Sequence, residues 1–253
     1  MDSGYRSPLI DFFRRGEVAH DVRLLAAQGG FAPRALEQLA LLMLLIDDSE
    51  PLIARSARAT LDALPDAALS KFLARSDVPA EMRQFFVERG VVVVPGPAAE
   101  TGDDPLLEAK NDEAVPEDAE TDPRVLSTLS IIRRMKLAVK GTREQRAQLI
   151  RDSSKLVSAA VLSSPKLTEA EVESFAKMAN VAEDVLRIIS MNRGWMKNYG
   201  VVIGLARNPK TPPAISMRLL SRLNERDMKL ISMDRNVPES LRLAARKYLV
   251  KER

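Results

Sequence analysis

Cysteine is absent from this chain of 253 residues, and histidine occurs only once. The lack of cysteine excludes disulfides, thiolate nucleophiles, iron–sulfur clusters and cysteine-ligated zinc. A single histidine, His20, has too few partners for a catalytic triad or a histidine-based metal site. We therefore predict no catalytic residues, no metal and no cofactor, and we expect a protein that is not an enzyme.

Aromatic residues make up only 4% of the chain, whereas 45% of its residues are hydrophobic. Cores must therefore be built from aliphatic side chains and Met, which suits stacked helices better than a β-sandwich. The longest apolar run, residues 39–46, is far shorter than the roughly 20 residues of a membrane-spanning helix, so we predict a buried helix and no membrane insertion. Charges at Asp2, Arg6 and Asp11 interrupt any signal-peptide core, and we expect a cytoplasmic protein.

The small net charge of +3 conceals a strong asymmetry along the chain. Residues 1–94 carry a net charge of −2, residues 95–123 carry −9, and residues 124–253 carry +14. The middle segment is rich in proline, glycine and acids, so it buries too little apolar surface to offset the entropy of ordering. We predict an N-terminal helical domain over 1–94, an acidic flexible linker over 95–123 and a basic helical domain over 124–253.

Gly, Pro and capping residues divide both halves into short helices joined by short loops. Thr142-Arg143-Glu144-Gln145 and Thr168-Glu169-Ala170-Glu171 match the capping-box pattern, which marks the start of a helix. A series of such helices predicts an all-α fold, with two stacks of helix pairs joined by the linker. The predicted helices cover residues 17–28, 34–46, 52–64, 65–74, 79–89, 124–140, 142–151, 154–162, 168–179, 181–190, 195–206, 212–223, 225–233 and 238–250.

Several junctions between the predicted helices are similar in sequence. Residues 76–83, 179–187 and 235–242 share one form, while 163–168 and 207–212 share another and lie 44 residues apart. In each, a proline or a capping residue ends one helix and begins the next. The spacing is irregular, which indicates a degenerate repeat.

The block Leu205–Pro213, with its Asn208-Pro209-Lys210-Thr211-Pro212 run, resembles the repeat unit of leucine-rich repeat variant proteins and, more loosely, of HEAT-type solenoids. The resemblance covers residues 150–250 best and implies a curved α-solenoid that acts as a binding surface. Some leucine-rich repeat variant proteins carry a cysteine-ligated iron–sulfur cluster, which the lack of cysteine excludes here. The C-terminal half also resembles a bacterial family of undefined function, which implies no further chemistry.

Residues 191–199 concentrate aromatic, basic and amide side chains, including the only tryptophan. Trp195 and Tyr199 are four residues apart, and we expect them to share a helix face that would stack a base or flank a phosphate. A core aromatic pair with polar neighbours facing solvent is the alternative. Because loops recur along one edge of a solenoid, we also expect the 207–210 loop to lie near this stretch. The candidate anion- or ligand-binding residues are Arg193, Trp195, Lys197, Asn198, Tyr199, Arg207, Asn208 and Lys210.

Two functions from different classes fit these features. The first is a non-catalytic scaffold that engages a protein partner through a helical-repeat surface. The alternative is a polyanion binder, in which the basic half holds DNA, RNA or a nucleotide second messenger. A DNA glycosylase of the HEAT-like type is a remote third. Clustering of the basic residues on one face would favour the polyanion binder. The acidic linker would either compete for that face or stay extended in solvent.

Limited proteolysis tests the predicted division of the chain. We expect the first cuts to fall within residues 95–123, because this segment contains ten acidic residues and few large apolar ones. Mass spectrometry of the early fragments would locate the cuts. First cleavage inside either predicted helical domain would contradict the division.

Overall fold

The structure, a computed structural model, describes residues 3–30, 32, 34–93, 104–107 and 123–251. Helices form the regular secondary structure of these residues, and no strand occurs among them. The predicted all-α class is therefore confirmed. The helices are α1 (Pro8–Arg14), α2 (His20–Ala27), α3 (Ala35–Leu45), α4 (Pro51–Asp62), α5 (Asp66–Leu73), α6 (Ala80–Glu88), α7 (Pro123–Thr128), α8 (Ile131–Lys140), α9 (Arg143–Leu149), α10 (Lys155–Ser163), α11 (Glu169–Lys177), α12 (Glu183–Met191), the 3-10 turn η1 (Trp195–Lys197), α13 (Tyr199–Arg207), α14 (Pro213–Leu220), α15 (Glu225–Met233) and α16 (Glu239–Lys251).

Most predicted helices are present, with ends within a few residues of the predicted ones. The helix predicted over 124–140 is an exception, because it is divided into α7 and α8. Ser130 lies between them with a ψ of 153°, and its Oγ accepts a hydrogen bond from the Arg133 amide at 3.3 Å. Ser130 is therefore the N-cap of a new helix within a stretch that looks continuous in sequence. Sequence analysis also missed α1, which begins with Ser7 as its N-cap and Pro8 in its first turn.

The described residues fall into two compact units, which are treated separately below. The first unit comprises those within Met1–Ala119, together with Leu129–Gly141 and Ser163–Pro165; the second comprises those within Glu120–Thr128, Thr142–Leu162 and Lys166–Arg253.

The first unit thus includes α8, whereas sequence analysis placed the whole of residues 124–253 in the C-terminal domain. The buried Ser164 Oγ donates a hydrogen bond to the carbonyl of Val139, in α8, at 2.7 Å. This bond joins the turn at 163–165 to α8, so chain segments distant in sequence belong to one unit.

The centre of the first unit is α3, which is buried on almost every side. α1, α2 and α4 pack against it, and Leu39, Leu42 and Met43 have no exposed surface. The apolar run over residues 39–46 therefore lies in a buried helix and its C-cap, as predicted. Two polar side chains of α3, Glu37 and Gln38, are also buried, each with 1% of its surface exposed.

The second unit contains four successive helix pairs, each of which begins with a capping residue. Side-chain oxygens of Thr142, Thr168, Asn198 and Asn224 accept hydrogen bonds from main-chain amides at the starts of α9, α11, α13 and α15. The first two caps form the capping boxes that the sequence predicted. The caps are 26, 30 and 26 residues apart, so they mark an irregular two-helix repeat.

Burial follows the same register in each pair. Two of the similar junctions, 179–187 and 235–242, place a buried valine at the same distance from the cap. The junctions 163–168 and 207–212, which share the second form, are not equivalent. The first ends at the cap Thr168, whereas the second lies at the end of α13, after the cap Asn198. The side chains at the fourth, seventh and eighth positions after the caps are all buried, and they are Arg146, Leu149 and Ile150, then Val172, Phe175 and Ala176, then Val202, Leu205 and Ala206, then Met228, Ile231 and Ser232.

Arg146 is a charged residue at a position where the later pairs have Val, Val and Met. Its guanidinium forms a buried ion pair with Glu171, with Nη2 at 2.8 Å from Oε1. It also donates to the carbonyl of Lys166 at 3.3 Å. The second oxygen of Glu171 accepts hydrogen bonds from the amide of Thr168 at 3.0 Å and its hydroxyl at 2.8 Å. The pair therefore joins α9 to the start of α11.

The environment of Glu171 changes its pKa in two opposing ways. Burial alone would raise the pKa of the carboxyl, but hydrogen bonds from Thr168 and the guanidinium of Arg146 outweigh it and leave the pKa below its ordinary value. A carboxylate with a lowered pKa stabilises the fold above its unfolded-state pKa, and this stabilisation is lost as the pH falls through the folded-state pKa.

Glycine allows α11 and α13 to pack closely. A Cβ on Gly204 would lie 3.1 Å from Lys177 Cγ and 3.2 Å from Ala176 Cβ, which is tighter than ordinary contact. A Cβ on Gly200 would overlap the carboxylate of Glu173. The two glycines are one helical turn apart, so they form a strip on α13 that faces α11.

The Glu171→Gln substitution tests the buried ion pair. It leaves Arg146 buried without a countercharge, so we expect a loss of about 3–5 kcal/mol in the free energy of unfolding at pH 7. The difference from the parent protein should shrink as the pH falls through the lowered folded-state pKa of Glu171, because the parent carboxyl then loses its charge as well. Urea titrations followed by the fluorescence of Trp195, which lies in the second unit, provide the measurement.

The exposed Glu169→Gln substitution is the matched control, because it removes the same charge from the same helix. It should change the stability at pH 7 by less than about 0.5 kcal/mol. Equal effects of the two substitutions would show that the ion pair is not needed for the packing of α9 on α11.

Candidate binding surface

The eight predicted site residues do not form a single cluster. Residues 193–198 precede α13, whereas residues 207–210 lie at its end. The rise of about 1.5 Å per residue separates the two groups by about 15 Å along the helix axis. The expected closeness of these loops is not observed, because successive loops of a helix stack lie at opposite ends of the helix that joins them.

Trp195 and Tyr199 belong to different elements and do not share a helix face. Trp195 begins η1, where its amide donates to Asn192 Oδ1 at 3.2 Å, and Asn198 then caps α13 through a 2.7 Å bond from Gly200 N to its Oδ1. Trp195 is half-buried and Tyr199 is 41% exposed, so they are not a core pair either. The predicted helix over 195–206 is broken because two asparagine side chains bond locally to the main chain.

The hydroxyl of Tyr199 is bound within the protein. It donates to Asp227 Oδ2 at 2.6 Å and accepts from the amide of Asn224 at 3.2 Å. Burial and the hydrogen bond to Asp227 raise the pKa of this hydroxyl. Tyr199 therefore ties the start of α13 to the start of α15.

Arg207 and Asn208 also have structural partners. Asn208 is buried, and its Nδ2 donates to the carbonyls of Ala176 and Met178 at 2.9 Å each. Arg207 pairs with Asp234 at 3.1 Å. Burial opposes ionisation of Asp234, but the amide of Asn236 and the guanidinium of Arg207 lower its pKa overall. Arg193, Lys197 and Lys210 are exposed, with the last at the opposite end of α13 from the other two.

The described part of the acidic linker belongs to the first unit. Asp104–Leu107 has neither helix nor strand, and its main chain bonds to Gln38 of the first unit. Competition of the linker for the basic face, one of the two alternatives drawn from the sequence, therefore stays a prediction. Residues 95–103 and 108–122 of the predicted linker lie outside the described residues.

A surface that sequence analysis missed lies on the last helix pair. The exposed residues Arg226, Lys229, Leu230 and Met233 follow the i, i+3, i+4, i+7 spacing of one helix face, here named the α15 face. Seventeen residues later the same spacing recurs, and we name this second set the α16 face. Its members are Leu243, Arg246, Lys247 and Val250, all exposed.

Each of these faces combines two cations with two large apolar side chains. Met233 is 60% exposed and Val250 is 75% exposed. Arg246 Nη2 donates to the carbonyl of Ser232 at 3.3 Å, which brings the α16 face next to the end of the α15 face. No carboxylate occurs among the eight positions, so the combined surface is positive and partly apolar. The helical spacing of these eight residues is visible in the sequence. Recognising them as two exposed faces requires knowing which side of each helix faces the core.

The described residues contain no group of three or more His, Asp or Glu side chains arranged to hold a metal ion. In the same part of the chain, no helix has the length and apolarity that crossing a bilayer requires.

Comparison with known proteins provides no family assignment. Neither a protein family, nor a curated protein, nor a solved structure matches the chain. The function must therefore be argued from the surfaces described above.

The Asn208→Ala substitution separates a structural role from a ligand-binding one. We expect it to lower the free energy of unfolding by about 1–3 kcal/mol, because two carbonyls at the end of α11 lose their donor. Thermal melting with and without candidate ligands provides the measurement. The exposed Asn236→Ala substitution is the control and should leave the stability within about 0.5 kcal/mol of the parent protein. A stable Asn208→Ala variant would remove the structural interpretation.

Proposed function

We propose that this protein is a non-catalytic cytoplasmic scaffold and that its second unit binds a protein partner through the α15 and α16 faces. The helix pairs would form a leucine-rich-variant or HEAT-like solenoid, which presents these faces at its last pair. The partner segment is proposed to be acidic with interspersed apolar side chains. The observation that carries the proposal is the repeated face of two cations and two apolar side chains.

The apolar side chains favour a protein partner over a nucleic acid. Leu230, Met233, Leu243 and Val250 are between 41% and 75% exposed, and burying such side chains is a main source of binding energy in protein interfaces. A phosphate backbone offers them no matching surface, whereas leucine or phenylalanine side chains of a peptide do.

The cations define the charge of the partner. Arg226 and Lys229 are adjacent on the α15 face, as Arg246 and Lys247 are on the α16 face. Side chains of this length cover neighbouring apolar surface with their methylene groups while their charges stay in water. Acidic side chains on the partner would pair with these charges at the rim, which speeds association and makes it dependent on salt.

The distribution of the predicted cations gives less support to a polyanion groove. Arg207 is paired with Asp234, and Lys210 lies at the other end of α13 from Arg193 and Lys197. A nucleic acid would have to reach both ends of the helix to engage all four. We therefore treat polyanion binding as an outcome that the experiment must distinguish.

The test uses the full chain and a labelled peptide of about twelve residues in which Asp and Leu recur, as in an amphipathic recognition segment. We expect Leu230→Ser/Met233→Ser to weaken binding about tenfold, which is about 1.4 kcal/mol. Arg226→Glu/Lys229→Glu should weaken it by more than about tenfold at low salt, and less at high salt. Fluorescence anisotropy measures the affinities.

The matched control is Arg193→Glu/Lys197→Glu, which makes the same change in net charge at residues that belong to neither face. A peptide with Ser in place of Leu and a single-stranded oligonucleotide are the competing probes. Binding of the oligonucleotide that is lost in the control variant but kept in Leu230→Ser/Met233→Ser would favour the polyanion binder. Absence of peptide binding to the folded parent protein would refute the proposal.

A further inference from the structure

A buried amide in the first unit binds the main chain of a distant segment. Gln38 lies in the first turn of α3 and has 1% of its surface exposed. A buried amide is stable only when its hydrogen-bonding groups have partners. One partner belongs to the helical unit itself, since Nε2 donates to the carbonyl of Gly29 at 2.9 Å.

The other partners of Gln38 come from Asp104–Leu107, nearly seventy residues away. Nε2 donates to the carbonyl of Leu107 at 2.7 Å, and Oε1 accepts from the amides of Leu106 and Leu107 at 2.8 and 3.1 Å. All four hydrogen-bonding positions of the amide are thereby used, and three of them bind this segment. With the segment removed, the amide would keep its bond to Gly29 and lose the other three.

Gly29 and the apolar side chains of the segment line this site. Gly29 follows α2 with a φ of 81°, and a Cβ there would lie 3.8 Å from Leu107 Cβ and 3.5 Å from Thr60 Cγ2. A larger residue would be strained at this φ, although its Cβ would make only ordinary contact with the segment. Pro105, Leu106 and Leu107 are each half-buried, so their side chains add apolar contact to the main-chain bonds.

We propose that Gln38 marks a peptide-binding site, occupied within the chain by Asp104–Leu107, from which a partner's acidic segment containing Pro-Leu-Leu would displace it. The bonds to Gln38 are made by main-chain groups, so a peptide that adopts the same bend at its two leucines satisfies them. The flanking proline and leucines select among such peptides. Asp104–Leu107 has neither helix nor strand and is held to the described part of the first unit by these bonds to one side chain, which is consistent with exchange.

This site is separate from the α15 and α16 faces. It binds an occupant through main-chain hydrogen bonds to one buried amide, whereas the faces bind through exposed cations and apolar side chains. Displacement of the internal segment would expose the Pro-Leu-Leu sequence of the chain itself. The first unit would in this way act as a recognition module in addition to the second unit.

The test uses a labelled synthetic peptide of residues 100–112 and the full chain. Leu106→Pro/Leu107→Pro removes both amides that donate to Gln38, and it should vacate the site. We expect this variant to bind the peptide at least about tenfold more tightly than the parent protein, in which the internal segment competes at an effective concentration of about millimolar. A peptide that carries the same two prolines should not bind.

Gln38→Met, made in the vacated chain, should abolish binding because a thioether neither donates nor accepts as the amide does. The exposed Gln28→Met is the matched control and should leave binding unchanged. Equal binding by the Gln38→Met chain, or no binding by a vacated chain whose melting temperature is that of the parent protein, would overturn the proposal.

Hydrogen exchange of the parent protein is a second test, which does not require the Gln38→Met variant to fold. The amides of Leu106 and Leu107 in the parent protein should exchange at least about tenfold more slowly than in the free peptide, because Gln38 accepts both. Exchange at the rate of the free peptide would also overturn the proposal.

Discussion

The constraint on which this structure depends is the number of helix ends. Each helix leaves up to four amides and four carbonyls without helical partners, and short helices multiply these groups within a small volume. The chain satisfies amides with the caps Ser7, Ser130, Thr142, Thr168, Asn198 and Asn224. Side chains from later loops donate hydrogen bonds to the free carbonyls, as Asn208 does at the end of α11. The packing of successive helix pairs therefore depends on bonds between a loop and an earlier helix end.

Arginine serves the same purpose, and this changes the meaning of the charge distribution. Arg83 binds three carbonyls around the end of α5, and Arg222 binds the carbonyl of Met196. Arg146 is buried in an ion pair. A count of +14 for residues 124–253 thus includes guanidinium groups that hold helix ends as well as charges that face solvent. Net charge indicates what a surface attracts only after these structural arginines are identified.

Sequence predicted the features that depend on local chemistry. The capping boxes at Thr142 and Thr168 and the buried helix over residues 39–46 follow from patterns within a few residues of each other, and the structure contains them. The sequence did not predict the break at Ser130, because a serine within a helical pattern caps only when the chain turns there.

The predicted clustering of the candidate site residues is wrong for a related reason. Whether Trp195 and Tyr199 share a face depends on where Asn198 caps α13, and the distance from Arg193 to Lys210 depends on which ends of the helices the loops join.

The hydrogen bonds of Gln38 define the secondary structure of whatever occupies its site. Leu107 uses both its amide and its carbonyl on the same side-chain amide. Inside an α-helix both groups are already engaged along the helix axis and point in opposite directions, so an intact helical turn is sterically and electrostatically excluded. An intact helix therefore cannot occupy this site, and Leu106 and Leu107 bind Gln38 at a bend, outside any helix.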